Sequence, residues 1–350
     1  MKFTDIKGNE NVVAAFRSMV DRGRIPHAIL LHEEDGGGAF PLLLSFLQYL
    51  YCNDRRDGDS CGACPCCNKI TKLIHPDIHF VYPVASSGKA SSDSAVSPSL
   101  PYIPKWRELV TGNPFFTEAE FNETLGMEQK STVITVAEAS SILGRLSLSA
   151  IEGGYRSVVM YLPEKMNAPA ANKLLKMIEE PPEKTLFLLV TLQPEKVLTT
   201  IYSRCLFLRV RPFSRTEDRE VHARDAADTA VLSDLFHDLV DAILRRDLLG
   251  ALETGDALAE LGSREKQKRF CRVAGEGLRN IFLIQQGLSD LADIPEDEAA
   301  FCADAAGRLR RSFSRQALPA LDRALLLLER NVNQKILFTD LVNRLYMTTL

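Results

Sequence analysis

Three runs constrain this chain more than any other feature: Ala28 to His32 ("AILLH"), Ser157 to Leu162 ("SVVMYL") and Thr185 to Leu192 ("TLFLLVTL"). A strand with one wet face alternates apolar and polar residues, whereas a strand that is apolar almost throughout must be covered on both faces. Helical patterns lie between them. Residues 9–23 place Val12, Val13, Phe16, Met19 and Val20 on one face, and "AANKLLKMIEEPP" is a helix stopped by Pro181 and Pro182. "VLTTIYSRCLFLRV" adds a helical turn and a fourth strand, and "STVITVAEASSILGRL" a short strand and a helix with Thr135 as its N-cap. Strands alternating with helices predict an α/β fold with a parallel sheet and helices on both faces. From about Ser233 the pattern is nearly all helical, so an all-α region follows.

At 350 residues the chain has room for two or three domains. With 42 basic and 46 acidic side chains it lacks the charge excess of a protein that grips nucleic acid with its whole surface, although a local contact is compatible. The opening residues carry no signal pattern and no apolar run is long enough to span a bilayer, so the expected location is cytoplasmic, without a membrane partner.

Five of the eight cysteines fall between Cys52 and Cys67. Cys52, Cys61, Cys64 and Cys67 are spaced C-x8-C-x2-C-x2-C, and four thiolates complete a tetrahedral shell around Zn²⁺, with Gly62 easing the turn. Such a site is structural, because no position stays open for substrate. Spacing alone leaves Cys66 as an alternative to Cys67. His75 and His79 are weaker competitors.

After the first strand the layout is that of a nucleotide phosphate loop: strand, glycines, apolar helix. A working loop needs backbone N–H groups to wrap the phosphates, a lysine for their charge and a Ser or Thr hydroxyl for Mg²⁺. Gly36, Gly37 and Gly38 keep the first element, but Ala39 and Phe40 stand where the lysine and hydroxyl belong, and Glu33, Glu34 and Asp35 add repulsion. After "VVMYL", where an ATPase of this layout carries adjacent acids, Pro163 and Glu164 leave one acid, expected to be a solvated loop residue. Residues 84–130 begin with a Ser-, Ala- and Pro-rich stretch that reads as a mobile surface insertion, whose later part, with Trp106, Phe115 and Phe116, packs back onto the body.

"FTDIKGNENVVAAF", "IPHAILL", the four-cysteine module, "HPD", "AANKLLKMIEEPPEKTLFLLVT" and "IYSRCLFL" occur in one order that resembles the AAA+ clamp-loader subunits of bacterial DNA polymerase III. The resemblance covers residues 1–213 well and 316–347 moderately. It implies an AAA+ domain over 1–212 with the zinc module at 52–67, a shortened lid or linker over 213–232, and a helical collar for oligomerisation over 233–350. Ala39, Phe40 and Pro163 point to the delta-prime branch, whose nucleotide site is degraded, rather than to the gamma/tau ATPases. For this branch the resemblance implies no bound ATP, structural Zn²⁺, and a replisome location. The implied partners are gamma/tau-type ATPase subunits, a delta subunit and primer-template DNA. Ser203, Arg204 and Cys205 match the family's SRC motif, whose arginine reaches the ATP of a neighbouring subunit. Asn172, Lys173 and Lys176 lie on the helix that lines the family's central channel, or are simply its solvated face. Two other readings stay open: an unorthodox ATPase using Lys165 in place of the missing lysine, and a zinc-stabilised scaffold of another repair or recombination assembly.

Overall fold

The computed structural model describes residues 1–6, 8–34, 37–85, 97–128, 130–211, 226–292, 294–330 and 332–348, the side chains of 226–229, 265 and 329 excepted. It divides into two compact units, Met1–Phe213 and Ser214–Leu350.

The first unit is built on a five-stranded parallel sheet. Its strands are β1 (Ala28–His32), β2 (Ile78–Val81), β5 (Arg156–Tyr161), β6 (Thr185–Thr191) and β7 (Leu206–Arg209), ordered β2-β5-β6-β1-β7. The expectation of a doubly covered sheet holds at residue level, because the pleat sends alternate residues into two separate cores. Ile29, Leu31, Val159, Tyr161, Leu186, Leu188 and Val190 pack on one face with helices α1 (Glu10–Asp21) and α2 (Ala39–Tyr51). Ala28, Leu30, Val158, Met160, Phe187 and Leu189 pack on the other with α6 (Val136–Leu146) and α7 (Ala168–Glu179). All seven residues of β6 are buried, as its apolar run requires.

Two strands differ from the sequence pattern. "IHFV" forms the sheet edge β2, paired with β5 from Ile78↔Ser157 to Val81↔Met160. The short strand at Thr132–Val133 (β4) stays outside the main sheet and pairs antiparallel with Val84–Ala85 (β3). Thr135 holds the N-cap position of α6, but its buried hydroxyl makes no hydrogen bond.

The later part of residues 84–130 packs onto the body, as its aromatic residues suggest; residues 86–96 lie outside the described ones. Helices α4 (Ile103–Gly112) and α5 (Glu118–Leu125) drive Trp106, Leu109, Val110, Phe116, Phe121 and Leu125 into the first core. Thr117 and Glu120 form a reciprocal capping box on α5. Buried Glu138 of α6 accepts hydrogen bonds from the Ser97 hydroxyl at 2.7 Å, the Ser99 hydroxyl at 2.9 Å and the Ser99 N–H at 3.1 Å, anchoring the segment where it re-enters.

The second unit is helical among its described residues: Ala226–Arg245, Leu248–Ala259, Arg264–Gln285, Ala299–Arg308, Phe313–Glu329 and Gln334–Met347 surround one apolar core. Among the described residues its first helix is Ala226–Arg245, which overlaps the span assigned to a linker, and residues 212–225 lie outside the described ones. A side chain at Gly277 would meet the Phe236 ring at 2.4 Å, so these two helices approach through a glycine.

Candidate functional site

Between β1 and α2, the described residues of the glycine-containing segment pack their own side chains against the start of α2. Asp35 and Gly36 lie outside the described residues. The Gly37 N–H donates to the Glu34 carbonyl at 2.7 Å, and a Cβ on Gly37 would stand only 2.7 Å from that oxygen. Gly38 takes φ +89°, a left-handed geometry at the helix N-cap that favours glycine. The start of α2 offers backbone N–H groups and the positive end of the helix dipole, which is where a phosphate would sit. Here the Glu33 carboxylate, 4% exposed, accepts the Ala39 N–H at 2.6 Å. A side chain of the chain itself thus caps this helix end.

Phe40 fills the next position. It is 2% exposed, and its ring meets Trp106 edge-on at 5.3 Å, Phe116 at 5.3 Å and Tyr161 at 6.1 Å. The first two come from the inserted segment and the third from the last residue of β5. An aromatic cluster therefore joins the start of α2, the inserted segment and the sheet.

Pro163 and Glu164, after β5, are also engaged within the chain. Pro163 is buried and opens a 3₁₀ turn. Glu164 departs from the solvated-loop expectation: it is half-buried and accepts from the Thr191 hydroxyl at 2.8 Å and the Leu192 N–H at 3.0 Å. Burial pushes its carboxyl above the usual range, against the lowering effect of these donors. It ties the end of β5 to that of β6. Lys165 pairs with Glu118 and contacts the Thr132 hydroxyl at 3.3 Å, so the replacement lysine of the unorthodox-ATPase reading is engaged elsewhere.

Arg204 lies just before β7, the edge strand beside β1, after the short helix α8 (Thr199–Tyr202), at the end of the sheet where β1 starts. Its turn is held by backbone bonds from Ser203, Arg204 and Cys205 to Thr199, Ile201 and Tyr202. Burial pushes the Cys205 thiol up to about 11, so it stays protonated and donates to the Ile201 carbonyl at 3.2 Å. The exposed guanidinium donates through Nη1 to the Thr200 carbonyl at 2.8 Å and to the Ser203 hydroxyl at 3.3 Å. Its Nη2 lies 2.7 Å from a Glu179 oxygen. Asn172, Lys173 and Lys176 are exposed on α7, and Lys173 donates to the Ser140 hydroxyl at 2.7 Å.

The four spaced cysteines come together. The sulfurs of Cys52, Cys61, Cys64 and Cys67 lie within 4.8 Å of one another, with Cys61 and Cys67 at 4.0 Å. Tetrahedral Zn–S bonds of about 2.3 Å place thiolates about 3.8 Å apart, so this group can hold such an ion with little movement. The group sits where α2 ends and α3 (Pro65–Thr71) begins, and Gly62 at φ +74° makes the turn. Backbone N–H groups point at the sulfurs: Asp54 and Cys61 on Cys52, Cys64 on Cys61, Cys67 on Cys64. Donors from Ala63 and Cys64 lower the Cys61 thiol to about 6, favouring the thiolate a metal needs. Buried Asp59 accepts the N–H groups of Phe3 and Thr4, tying the module to the chain start.

Cys66, the alternative that spacing left open, turns away toward Glu152, where its thiol donates at 3.7 Å. Buried His75 accepts the Asp77 N–H on Nδ1 at 3.2 Å, which puts its proton on Nε2, 3.3 Å from Glu152. Lys69 is also paired to Glu152, and Cys66, His75 and Glu152 bring one ligand atom each within 4.8 Å of one another, a second group that could hold a metal ion, with His75 Nε2 making no hydrogen bond. His79 stands on the edge strand β2.

Glu33 entered the sequence reading only as a repulsive charge, and Glu179 had no role in it. A carboxylate beside a glycine run before a helix is a recognisable signal for an internal cap. The Glu179 contact is made by folding, across residues far apart in sequence.

A family model described as "DNA polymerase III, delta subunit" matches residues 8–214. A protein named DNA polymerase III subunit delta' from Yersinia pestis is 30% identical over 197 residues, 55% of this chain and 45% of its own. One of the same name from Bacillus subtilis is 25% identical over 235 residues, 66% of this chain and 57% of its own. The chain therefore spans about half the length of the curated relatives it matches. A crystal structure of a gamma subunit-related protein from Thermotoga maritima aligns over 97% of this chain and 99% of its own, at 14% identity and a TM-score of 0.40.

Proposed function

The chain belongs to the DNA polymerase III delta-subunit family, and from that premise we propose that it is a delta-prime-type subunit of a sliding-clamp loader, inactive as an ATPase itself. In this role it stands beside a gamma/tau-type ATPase subunit and offers Arg204 to that neighbour's ATP. A trans arginine stabilises the charge that builds on the transferred phosphoryl group, and the subunit supplying it needs no nucleotide of its own.

One observation carries this reading. Glu33 and Phe40 occupy the phosphate and metal positions of the loop, while Arg204 is presented from a fully bonded turn at the other end of the sheet. Ile29 pairs with Leu206 and His32 with Arg209, so Arg204 lies beyond the start of β1 and the loop beyond its end. Five strand residues separate them by roughly 16 Å, too far for the arginine to serve its own loop.

Zn²⁺ held by Cys52, Cys61, Cys64 and Cys67 neutralises the thiolates and cross-links α2 to α3, a structural contribution. The chain's own amides orient the sulfurs, and Asp59 carries that rigidity to the N-terminus. In the assembled form 1–212 is the AAA+ domain and 233–350 the collar. A delta subunit and primer-template DNA are partners through the complex, which acts at the replisome. The exposed lysines of α7 are the local basic surface for that DNA.

The test is reconstitution with the ATPase and delta subunits. Arg204→Ala is expected to assemble normally and to lower DNA-stimulated ATP hydrolysis at least about tenfold, since it removes the finger from one ATP site of an assembly with several. Unchanged hydrolysis would remove Arg204 from the mechanism. Failure of the wild-type chain to join the ATPase subunit would favour the repair-scaffold reading.

A further inference from the structure

We infer that Glu179 is a positioning residue for Arg204, holding the guanidinium in the pose it uses on a neighbouring subunit; this rests on the proposed trans role of Arg204. Glu179 is the last residue of α7 and Arg204 precedes β7, so the pair joins two elements at the same end of the sheet. Both side chains are partly exposed, at 37% for Arg204 and 42% for Glu179, so the pair faces outward and is open to a second protein.

The contacts use the guanidinium selectively. Nη1 donates to the Thr200 carbonyl and the Ser203 hydroxyl, and Nη2 is ion-paired with Glu179 at 2.7 Å. The two hydrogen bonds thus use Nη1. The Nε–H takes no part in these contacts, and the Nε side of the fork is the edge that binds two oxygens of one phosphate. A free arginine must give up rotamer freedom before it can act there. One already tethered through its terminal nitrogens has less to lose.

The position of Glu179 is locally unfavourable, which argues for a purpose beyond helix stability. A carboxylate in the last helical turn opposes the negative end of the helix dipole, and Lys176 is the residue in that turn that complements it. Glu180 follows directly and is exposed, with no partner among the described contacts. Two adjacent acids thus share one backbone environment, and only the first is paired with the arginine.

The experiment compares Glu179→Ala, Glu179→Gln and Glu180→Ala with Arg204→Ala in the assembled loader. Glu179→Ala should lower kcat for DNA-stimulated hydrolysis about five- to tenfold with KM for ATP within about twofold, the signature of a misplaced catalytic group. Glu179→Gln keeps the acceptor and should recover most of that loss, whereas Glu180→Ala should match wild type. In an Arg204→Ala background, Glu179→Ala should have no further effect. If Arg204→Ala is harmful and Glu179→Ala is silent, or if the two losses multiply, the positioning role is wrong and the arginine role stands. If Arg204→Ala itself is silent, the underlying reading fails. Thermal melting of each variant separates loss of fold from loss of position, and a drop in kcat that merely follows lost assembly would overturn the inference.

Discussion

Phe40 and Glu33 occupy positions where one substitution reverses the chemistry of a phosphate loop. Phe40 is packed among four other aromatic rings counting Phe121 behind Tyr161, so Phe40→Ala opens a cavity and should cost about 3–5 kcal/mol, measured by denaturant unfolding. Glu33→Gln keeps the shape but removes the charge on the helix end, and should cost about 1 kcal/mol. His79 adds a pH dependence. Burial, then repulsion from Arg145, lowers it from 6.5 to about 4, so the folded chain resists a proton that the unfolded chain accepts. Its stabilising contribution is fully present above pH 6.5 and is lost as pH falls toward 4. The unfolding free energy should therefore decrease by on the order of 2 kcal/mol across that window, and His79→Gln should flatten the curve.

Among the elements, the ones legible in the sequence were those whose burial is written continuously along the chain. β1, β5 and β6 are apolar because both faces are covered, and α7 is bounded by its own prolines. β2 was not legible: four residues at a sheet edge, with a half-buried histidine among them, carry too little pattern. The inserted helices were partly legible, since Trp106, Phe115 and Phe116 signal a core, but which surface they cover is a tertiary fact. That surface is the phosphate loop, and the site's closure therefore emerges only in three dimensions. The cysteine module was legible from spacing, and folding separated Cys67 from Cys66. Metal analysis should find about one Zn²⁺ per chain, and a chelator should lower the melting temperature by on the order of 10 °C. Zinc affinity should weaken as pH falls, because protons compete with the metal for the four thiolates.

At the scale of the whole molecule, the parallel sheet separates two chemistries. The end that holds nucleotide in an ATPase of this layout is closed by Glu33, Phe40 and the Glu164–Thr191 bond. The other end presents Arg204, supported by Ser203, Cys205 and Glu179. On the proposed reading such a subunit would contribute to hydrolysis only beside an ATPase neighbour, a reading that family membership supports. The most direct measurement is equilibrium titration of the purified chain with fluorescent ATP in the presence and absence of Mg²⁺. The account predicts no saturable signal up to millimolar nucleotide in either condition. Saturable, Mg²⁺-dependent binding would mean that the loop still accepts a triphosphate, and would contradict it.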